Sequence, residues 1–399
     1  MPVHLNPPNA ARPYDAVVVG ARCAGAATAL LLARRGLRVL VVDRARRGSD
    51  TLSTHALMRP AVVQLHRWGL LDALVAARTP PIRRTIFHYG ADRVAVTLRP
   101  AAGTDALYAP RRTVLDSVLL DAAEQAGADV LTGVTVRDLI RQAGRVAGVV
   151  LDNGSGGRRI VRAGLTIGAD GVRSLIAARA GAPVEQQGRH AAALVYGYFD
   201  GLPSDGYEWF YGRGTTAGLI PTNDHQTVLF VARPAQPRGN PIGPGIAGVH
   251  AVLADSWPEG RERLQGAHLV SRLRQWRGTA GYRRTASGPG WALIGDAGYF
   301  KDPMSTHGIS QALRDAELLA DALTRASGQT QKQTLRAYQR QRDAVSAPMF
   351  DAVERIASFA WDLTEVRNLL MTVSSAISDE VELVAGLDAA RGAPQTLSA

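Results

Sequence analysis

The loop Gly20-Ala21-Arg22-Cys23-Ala24-Gly25 stands where three consecutive valines, Val17 to Val19, give way to an alanine- and leucine-rich run. At such a strand-to-helix junction, unpaired backbone N–H groups hold a pyrophosphate. Gly20 permits the tight turn, and Gly25 lets the helix lie close against the strand. Arg22 takes the place of the second glycine of the usual G-x-G-x-x-G, so its side chain has to swing away from the phosphates or pair with one. Asp43 closes the next apolar run 23 residues after Gly20, the distance at which a carboxylate meets the hydroxyls of an adenosine ribose. Together these residues predict a dinucleotide site, with a sugar-nucleotide site or a purely structural loop as the competing readings. Cys23, inside the loop, reads as a small packed residue.

Two later segments repeat the order strand, acidic turn, helix. They are Gly168-Ala169-Asp170-Gly171-Val172-Arg173-Ser174 and Gly295-Asp296-Ala297-Gly298, the latter running on through Lys301-Asp302-Pro303 to His307-Gly308-Ile309-Ser310. Asp170 and Asp296 each have a plainer alternative, as caps of the turn or helix that follows. His55 and His307 are the titratable candidates for proton transfer, with packing or a simple hydrogen bond as the alternative for each. Tyr196, Tyr198, Trp209 and Tyr211 fall in short β-type runs. They predict either the floor of a pocket for a flat apolar molecule or an ordinary sheet core. His66, His88, His225 and Lys301 show no companion residues and read as surface or loop positions. Neither clustered Cys/His nor a His-x-x-x-His pair occurs, so no metal site is expected.

The elements that must position these groups follow from the hydrophobic pattern. Residues 14–20, 25–35 and 38–42 predict a βαβ unit. Helices are expected over 59–76 and 113–126, and strands over 129–136, 146–151, 165–169 and 291–295. From Ala191 to Arg233 the short aromatic runs, separated by Gly, Pro and Asn, predict an antiparallel sheet. A Pro/Gly stretch, Pro234 to Gly248, reads as a loop. From His307 the pattern is helical almost to the end, with Leu363, Val366, Leu369, Leu370, Val373 and Ile377 on one face and a start or kink at Pro348. The first ten residues, polar and proline-rich, read as a frayed leader.

With the N-terminal loop, the two acidic turns resemble the three signatures of the FAD-dependent monooxygenases with the p-hydroxybenzoate-hydroxylase-like fold. Order and spacing match over residues 14–325. The stretches GARCAG, DTLSTH (50–55) and DPMSTHGIS are similar to a branch near the geranylgeranyl reductases. The resemblance implies an α/β chain whose Rossmann-like FAD-binding domain (14–90, 108–185 and 280–330) interleaves with an antiparallel-sheet substrate domain (91–107 and 186–279), followed by C-terminal helices (331–399). It implies Gly20 and Gly25 at the pyrophosphate, Asp43 and Arg44 at the adenosine ribose, and Val136 offering backbone to the adenine. Arg112, or less favourably Arg111, would contact the ribityl and phosphate region. Asp170 and Gly171 would stand at the junction of cofactor and reductant grooves, Asp296 at the ribityl hydroxyls, and Gly308 and Ile309 at the flavin's O2 edge. Thr306 and His307 replace a glycine and a glutamine of the family's P-x-x-G-Q-G, which alters the contacts beside the isoalloxazine.

The implied activity is insertion of one oxygen atom from O2 into an aromatic or unsaturated small molecule, in specialised metabolism. The alternative is flavin-dependent reduction of isoprenoid double bonds. Electrons would come from NAD(P)H or from a partner flavin reductase. A halogenase reading meets no W-x-W-x-I-P segment. The helices after Leu335 would cover the substrate pocket or form a homodimer face.

Composition narrows the classes further. The net charge is +11, and all but two of the 46 cations are arginine. They are scattered rather than gathered in a stripe, which argues against nucleic acid and favours anionic small molecules. A single cysteine excludes an intrachain disulfide framework and fits a cytoplasmic location. No stretch has the length and apolarity of a membrane span.

Overall fold

The computed structural model describes residues 12–152, 157–325 and 328–389; the proline-rich opening decapeptide and the last ten residues of the chain lie outside them. The chain divides into two compact units. One comprises Met1–Ser53, Arg111–Ala191 and Thr279–Ala347, the other Thr54–Pro110, Ala192–Gly278 and Pro348–Ala399. Elements are numbered along the chain.

In the first unit, β1 (Tyr14–Val19), α1 (Cys23–Ala33) and β2 (Val39–Asp43) form the expected βαβ start, with β1 and β2 parallel. The sheet runs in the order β17 (Ser287–Gly288), β18 (Trp291–Leu293), β8 (Arg158–Gly168), β1, β2, β5 (Asp129–Thr132). β7 (Arg145–Asp152) pairs with β8 and with β6 (Thr135–Gln142). Val17, Leu40, Ile167 and Leu293 are fully buried, as strands covered on both faces require. Every residue of α1 is buried, which explains a helix with no polar face; it packs on α4 (Arg112–Gln125) and α8 (Gly308–Thr324). The short α5 (Leu175–Ala180) follows the second acidic turn. A three-stranded sheet joins β19 (Tyr299–Phe300), β16 (Tyr282–Arg284) and β9 (Val184–Gln187).

The second unit is built on a mainly antiparallel sheet in the order β14 (His268–Leu269), β10 (Ala192–Asp200), β13 (Thr227–Pro234), β12 (Thr215–Pro221), β11 (Tyr207–Gly212), β3 (Arg84–Tyr89), β4 (Asp92–Thr97). β15 (Arg274–Trp276) also pairs with β10. One face packs on α6 (Gly245–Ser256): Val195, Phe210, Leu219 and Val231 meet Val249 and Leu253. The helix expected over 59–76 is two, α2 (Arg59–Arg67) and α3 (Leu71–Ala76), because Gly69 adopts φ +72°. After α7 (Gly260–Arg263) come the long α9 (Gln331–Ala357) and α10 (Leu363–Ala389). Pro348 lies inside α9 and does not start a helix.

The units differ from the expected division at several boundaries, and the expected C-terminal segment 331–399 is shared, 331–347 going to the first unit and 348–399 to the second. Residues 54–90 fall in the second unit, since β3 pairs in parallel with β11. Residues 186–191 fall in the first, since β9 pairs with β16. Among the described residues, no helix is long and apolar enough to cross a membrane.

Candidate active site

The three signature turns leave the same edge of the first sheet. Leu293 of β18 pairs with Gly168 of β8, Gly168 pairs with Val19 of β1, and Val19 with Val42 of β2. The Gly295, Ala169 and Gly20 turns and Asp43 therefore emerge side by side at the carboxyl ends of parallel strands, where open α/β sheets bind ligands. Val19, Gly168 and Leu293, between 125 and 274 residues apart in sequence, reach one row through strand register alone.

Within this row the glycines are set by space. A Cβ on Gly25 would lie 1.7 Å from the Gly20 carbonyl oxygen, and Gly20 itself adopts φ +107°. The Asp43 carboxylate accepts from the Ala21 and Ala45 N–H groups, each at 2.7 Å, and so pins the first turn to the end of β2. Ala21, Arg22, Asp43, Arg46 and Asp116 line a cleft there, with Arg44 exposed beside it. Arg22 does swing out: its guanidinium reaches the Asp50 carbonyl at 3.2 Å and Asp116 at 3.4 Å. Arg112 is buried, paired with Asp116 at 2.9 Å and 3.6 Å from the Cys23 sulfur. Cys23 is buried, and burial pushes its thiol up, against the pull of Arg112. Arg111 is the N-cap residue of α4, and Val136 is buried in β6 beside a β-bulge.

At the second turn, the Asp170 carboxylate accepts from Ser174 Oγ at 2.5 Å and from the Ile176 N–H at 3.1 Å, the contacts of a helix cap. Gly171, at φ +77°, has open space around its Cβ direction. The Tyr282 hydroxyl stands 2.6 Å from the Asp296 carbonyl oxygen and 3.1 Å from that of Val172, tying the second and third turns together. Behind the third turn, Asp315 accepts from the Gly295 N–H at 3.1 Å and pairs with the buried Arg314 at 2.8 Å. The Asp296 carboxylate differs from the other acids of the row. No described residue donates a hydrogen bond to it, and burial raises its pKa to about 6, against the cations of Lys301 and Arg112 and with the help of Asp315.

The third turn leads through Thr306, which holds the left-handed conformation (φ 52°) that a glycine adopts at no cost, to the fully buried His307. α8 then opens with Gly308, exposed and with nothing near its Cβ direction, and Ile309. Ser310 follows in the same turn, buried, its hydroxyl without a hydrogen-bond partner among the described residues. Lys301, read from sequence as a surface or loop residue, is also buried.

The aromatic residues and His55 belong to the second unit. Strand register puts Tyr207, Ile220, Val228 and Tyr198 in one cross-strand row, and Trp209, Gly218, Phe230 and Tyr196 in the next. These rows occupy the sheet face opposite to the one on α6, since they alternate with Val195, Phe210 and Leu219. His55 Nε2 is hydrogen-bonded to the Tyr198 hydroxyl, both residues being buried, and Tyr211 stacks on Tyr89. His55 adopts φ 68°, a conformation rare outside glycine that concentrates at functional sites. The two candidate histidines thus fall in different units, His307 with the cofactor residues and His55 with the aromatic ones.

A family model described as an FAD binding domain matches residues 13–353. This chain belongs to that FAD-binding family. Its fold is that of the flavin-dependent monooxygenases and halogenases of the p-hydroxybenzoate-hydroxylase-like superfamily. It is similar to the flavin-dependent brominase Bmp2 (TM-score 0.78, 19% identity, 94% of each chain). It is likewise similar to PqsL, a probable FAD-dependent monooxygenase from Pseudomonas aeruginosa (TM-score 0.73, 20% identity, 90% of this chain and 100% of that one). At such identities the likeness concerns the fold. Among curated proteins, FixC of Salmonella typhi is 32% identical over 191 residues, 46% of this chain and 42% of FixC, so the match spans less than half of that relative. Menaquinone reductase of Mycolicibacterium smegmatis is 29% identical over 331 residues, 78% of this chain and 76% of that protein.

The residues fit FAD. A flavin dinucleotide would need a close backbone approach, for which Gly20 and Gly25 leave space that a Cβ would fill, and an acceptor for its ribityl hydroxyls, for which Asp296, with no described donor, would be suited. The buried hydroxyl of Ser310 and the open N-terminal turn of α8 are further polar groups that lack a protein partner.

Proposed function

We propose that the chain is an FAD-dependent monooxygenase that places one oxygen atom from O2 into an aromatic or unsaturated small molecule. The observation that carries this reading is the aromatic sheet face with its buried His55–Tyr198 pair, a surface of flat apolar walls and one proton-handling site. Gly20, Gly25 and the first turn of α1 would hold the pyrophosphate, Asp43 and Arg44 the adenosine ribose, and Val136 the adenine. Arg112, rather than Arg111, would serve the ribityl–phosphate region, since it is the buried one of the pair. Asp296 would accept from the ribityl hydroxyls. Asp170 holds the turn that carries Gly171, and Gly308 and Ile309 would offer backbone N–H groups to the flavin's O2 edge. When bound, FAD supplies the redox chemistry, taking electrons that originate in NAD(P)H, directly or through a separate flavin reductase.

The chain's own part is to bind, orient and move a proton. Tyr196, Trp209 and Tyr211 wall a flat substrate. The Tyr198 hydroxyl takes the proton of a substrate hydroxyl as it passes its own to His55 Nε2, leaving the substrate oxygen anionic and electron-rich. His307, buried beside α8, orients the opening turn of that helix.

A second reading, reduction of isoprenoid double bonds, is favoured by the likeness to menaquinone reductase over three quarters of both chains. One experiment separates the two. Purified protein, with its visible flavin spectrum recorded, is reduced and supplied with 18O2 and a panel of phenols, indoles and prenylated quinones. One 18O atom in the product supports oxygenation. Anaerobic gain of two hydrogens without label replaces it with the reductase.

A further inference from the structure

Arg22 is the one cation within the turn 20–25, where the family pattern has its second glycine. Its backbone is extended (φ −83°, ψ −173°) as it caps α1, so the conformation itself does not call for glycine. A glycine at this point serves instead to bring the backbone close to the phosphates. A side chain here stands in that approach and has to contribute something in its place.

The guanidinium is aimed by two anchors in the same unit. Nη1 lies 3.4 Å from Asp116 Oδ2, and Nη2 donates to the Asp50 carbonyl at 3.2 Å. Both contacts are long for a charged donor, which usually reaches about 2.7–2.9 Å. Asp116 does not depend on Arg22, because Arg112 Nη2 holds its two oxygens at 2.9 and 3.0 Å. A guanidinium carries five N–H donors in one plane, and these contacts use one on each Nη. The Nε–H and the second N–H of each Nη are uncommitted among the described residues. The side chain is 31% exposed and lines the cleft that Ala21, Asp43 and Asp116 also line.

A dinucleotide brings a negative charge on each phosphate, whereas the N-terminus of α1 offers about half an elementary positive charge. A guanidinium, whose planar fork takes phosphate oxygens in pairs, brings the cleft nearer to neutrality.

We infer that Arg22 is a phosphate-binding residue of the cofactor site: anchored by Asp116 and Asp50, its guanidinium gives its spare donors to the diphosphate of FAD. It thereby stands in for the close backbone approach that the missing glycine would allow. This rests on the reading that the first turn holds the pyrophosphate.

The test is titration of apoprotein with FAD by flavin fluorescence, for wild type, Arg22→Gln, Arg22→Ala and Arg22→Lys, with ADP as competitor. Both neutral variants are expected to bind FAD about tenfold more weakly, as the loss of a charged hydrogen bond implies. ADP should lose affinity by the same factor, since it carries the diphosphate without the flavin. Arg22→Lys keeps the charge but not the fork, and falls between. Raising the ionic strength from about 0.01 to 1 M, which shortens the Debye length from about 30 to 3 Å, should narrow the gap between wild type and the neutral variants. Apoprotein melting temperatures should agree, because a part-exposed ion pair adds little to stability. FAD and ADP affinities equal to wild type in both neutral variants overturn the inference. So does a deficit that salt leaves unchanged, or wild-type affinity in Arg22→Gln beside a deficit in Arg22→Ala, since either makes the side chain a packing element. Wild type that binds FAD without competition from ADP would instead remove the reading of the first turn on which the inference stands.

Discussion

Glu208 in the second unit is buried and Asp296 in the first is half-buried, and their surroundings are opposite. Glu208 accepts from Arg263 at 2.8 and 2.9 Å, from Ser204 Oγ at 2.7 Å and stands 3.3 Å from His88 Nε2, and despite burial these partners lower its pKa to about 2. Asp296 has no protein donor among the described residues, and burial raises it to about 6. A carboxylate surrounded by donors is finished as a structural element. One without protein donors keeps its acceptor capacity for solvent or for a ligand with hydroxyl groups. On the proposed reading, the contrast separates a carboxyl kept for a cofactor from one that braces a sheet by its own ion pairs.

The largest effect expected from this contrast is on stability in the second unit. Glu208→Ala leaves Arg263 and His88 without their shared anion and should cost about 3 kcal/mol, at the lower end for a broken buried pair because Arg263 is partly exposed. Urea denaturation measures it, and FAD occupancy should not change. The acid limb sharpens the point. The lowered pKa of Glu208 means that its stabilisation is complete above the unfolded value near 4.5 and is lost as pH falls towards 2. Glu208→Gln should therefore flatten the acid denaturation curve in that window.

Next in size is the reciprocal change. Asp296→Ala should weaken FAD by about 100-fold, the loss of two hydrogen bonds to a charged acceptor, while leaving apoprotein stability unchanged or slightly raised. Fluorescence titration with FAD reads the first and thermal melting of apoprotein the second. Retention of full flavin occupancy would contradict the ribityl assignment. If both substitutions destabilise the fold and neither affects flavin, the two carboxyls are alike and the comparison fails.

A smaller effect follows from the raised pKa. Between about 6 and the unfolded value near 3.8, the folded apoprotein holds more protons at Asp296 than the unfolded chain does. This carboxyl therefore favours the folded apoprotein as pH falls, and loses that contribution as pH rises through about 6. FAD, which needs the carboxylate as acceptor, should bind up to tenfold more weakly for each pH unit below 6. Measuring the flavin Kd from pH 7 to pH 5 checks the slope, and Asp296→Asn should abolish it.

The three turns and Asp43 were legible because each is a local event, a glycine or an acid at a strand end, and chemistry at strand ends has a fixed spacing. That they share one row follows from the pairing of Val19, Gly168 and Leu293, which no local pattern encodes. The aromatic run was visible as a run. Its separation from the α6 face required knowing which alternate residues the helix covers. Lys301 and His88 read from sequence as surface or loop positions, and the structure puts the first in the interior and the second in β3 for a common reason. Their partners, Gln311 on α8 and Glu208 on β11, are unremarkable in sequence and meet them only after folding. A signal for Lys301 did exist, in the scarcity of lysine among so many arginines. The Gly69 break in the expected 59–76 helix was legible too, since glycine is the residue that tolerates φ +72°.

The smallest effect concerns backbone strain, which both candidate histidines share in different forms. Thr306, beside His307, holds φ 52°, and His55 itself holds φ 68°. For a β-branched residue this conformation costs about 1–2 kcal/mol, part of which glycine returns through its greater unfolded-state freedom. Thr306→Gly should thus stabilise the first unit by about 1 kcal/mol, since the Thr306 side chain makes no hydrogen bond with a described residue. His55→Gly relieves the same kind of strain but removes a buried imidazole bonded to Tyr198, so it should destabilise overall. Equilibrium denaturation of the two variants side by side gives opposite signs if the left-handed turn at Thr306 is only a connection and the one at His55 exists to deliver a side chain. Equal signs would mean that strain, rather than the histidine it presents, sets the energetics at both positions.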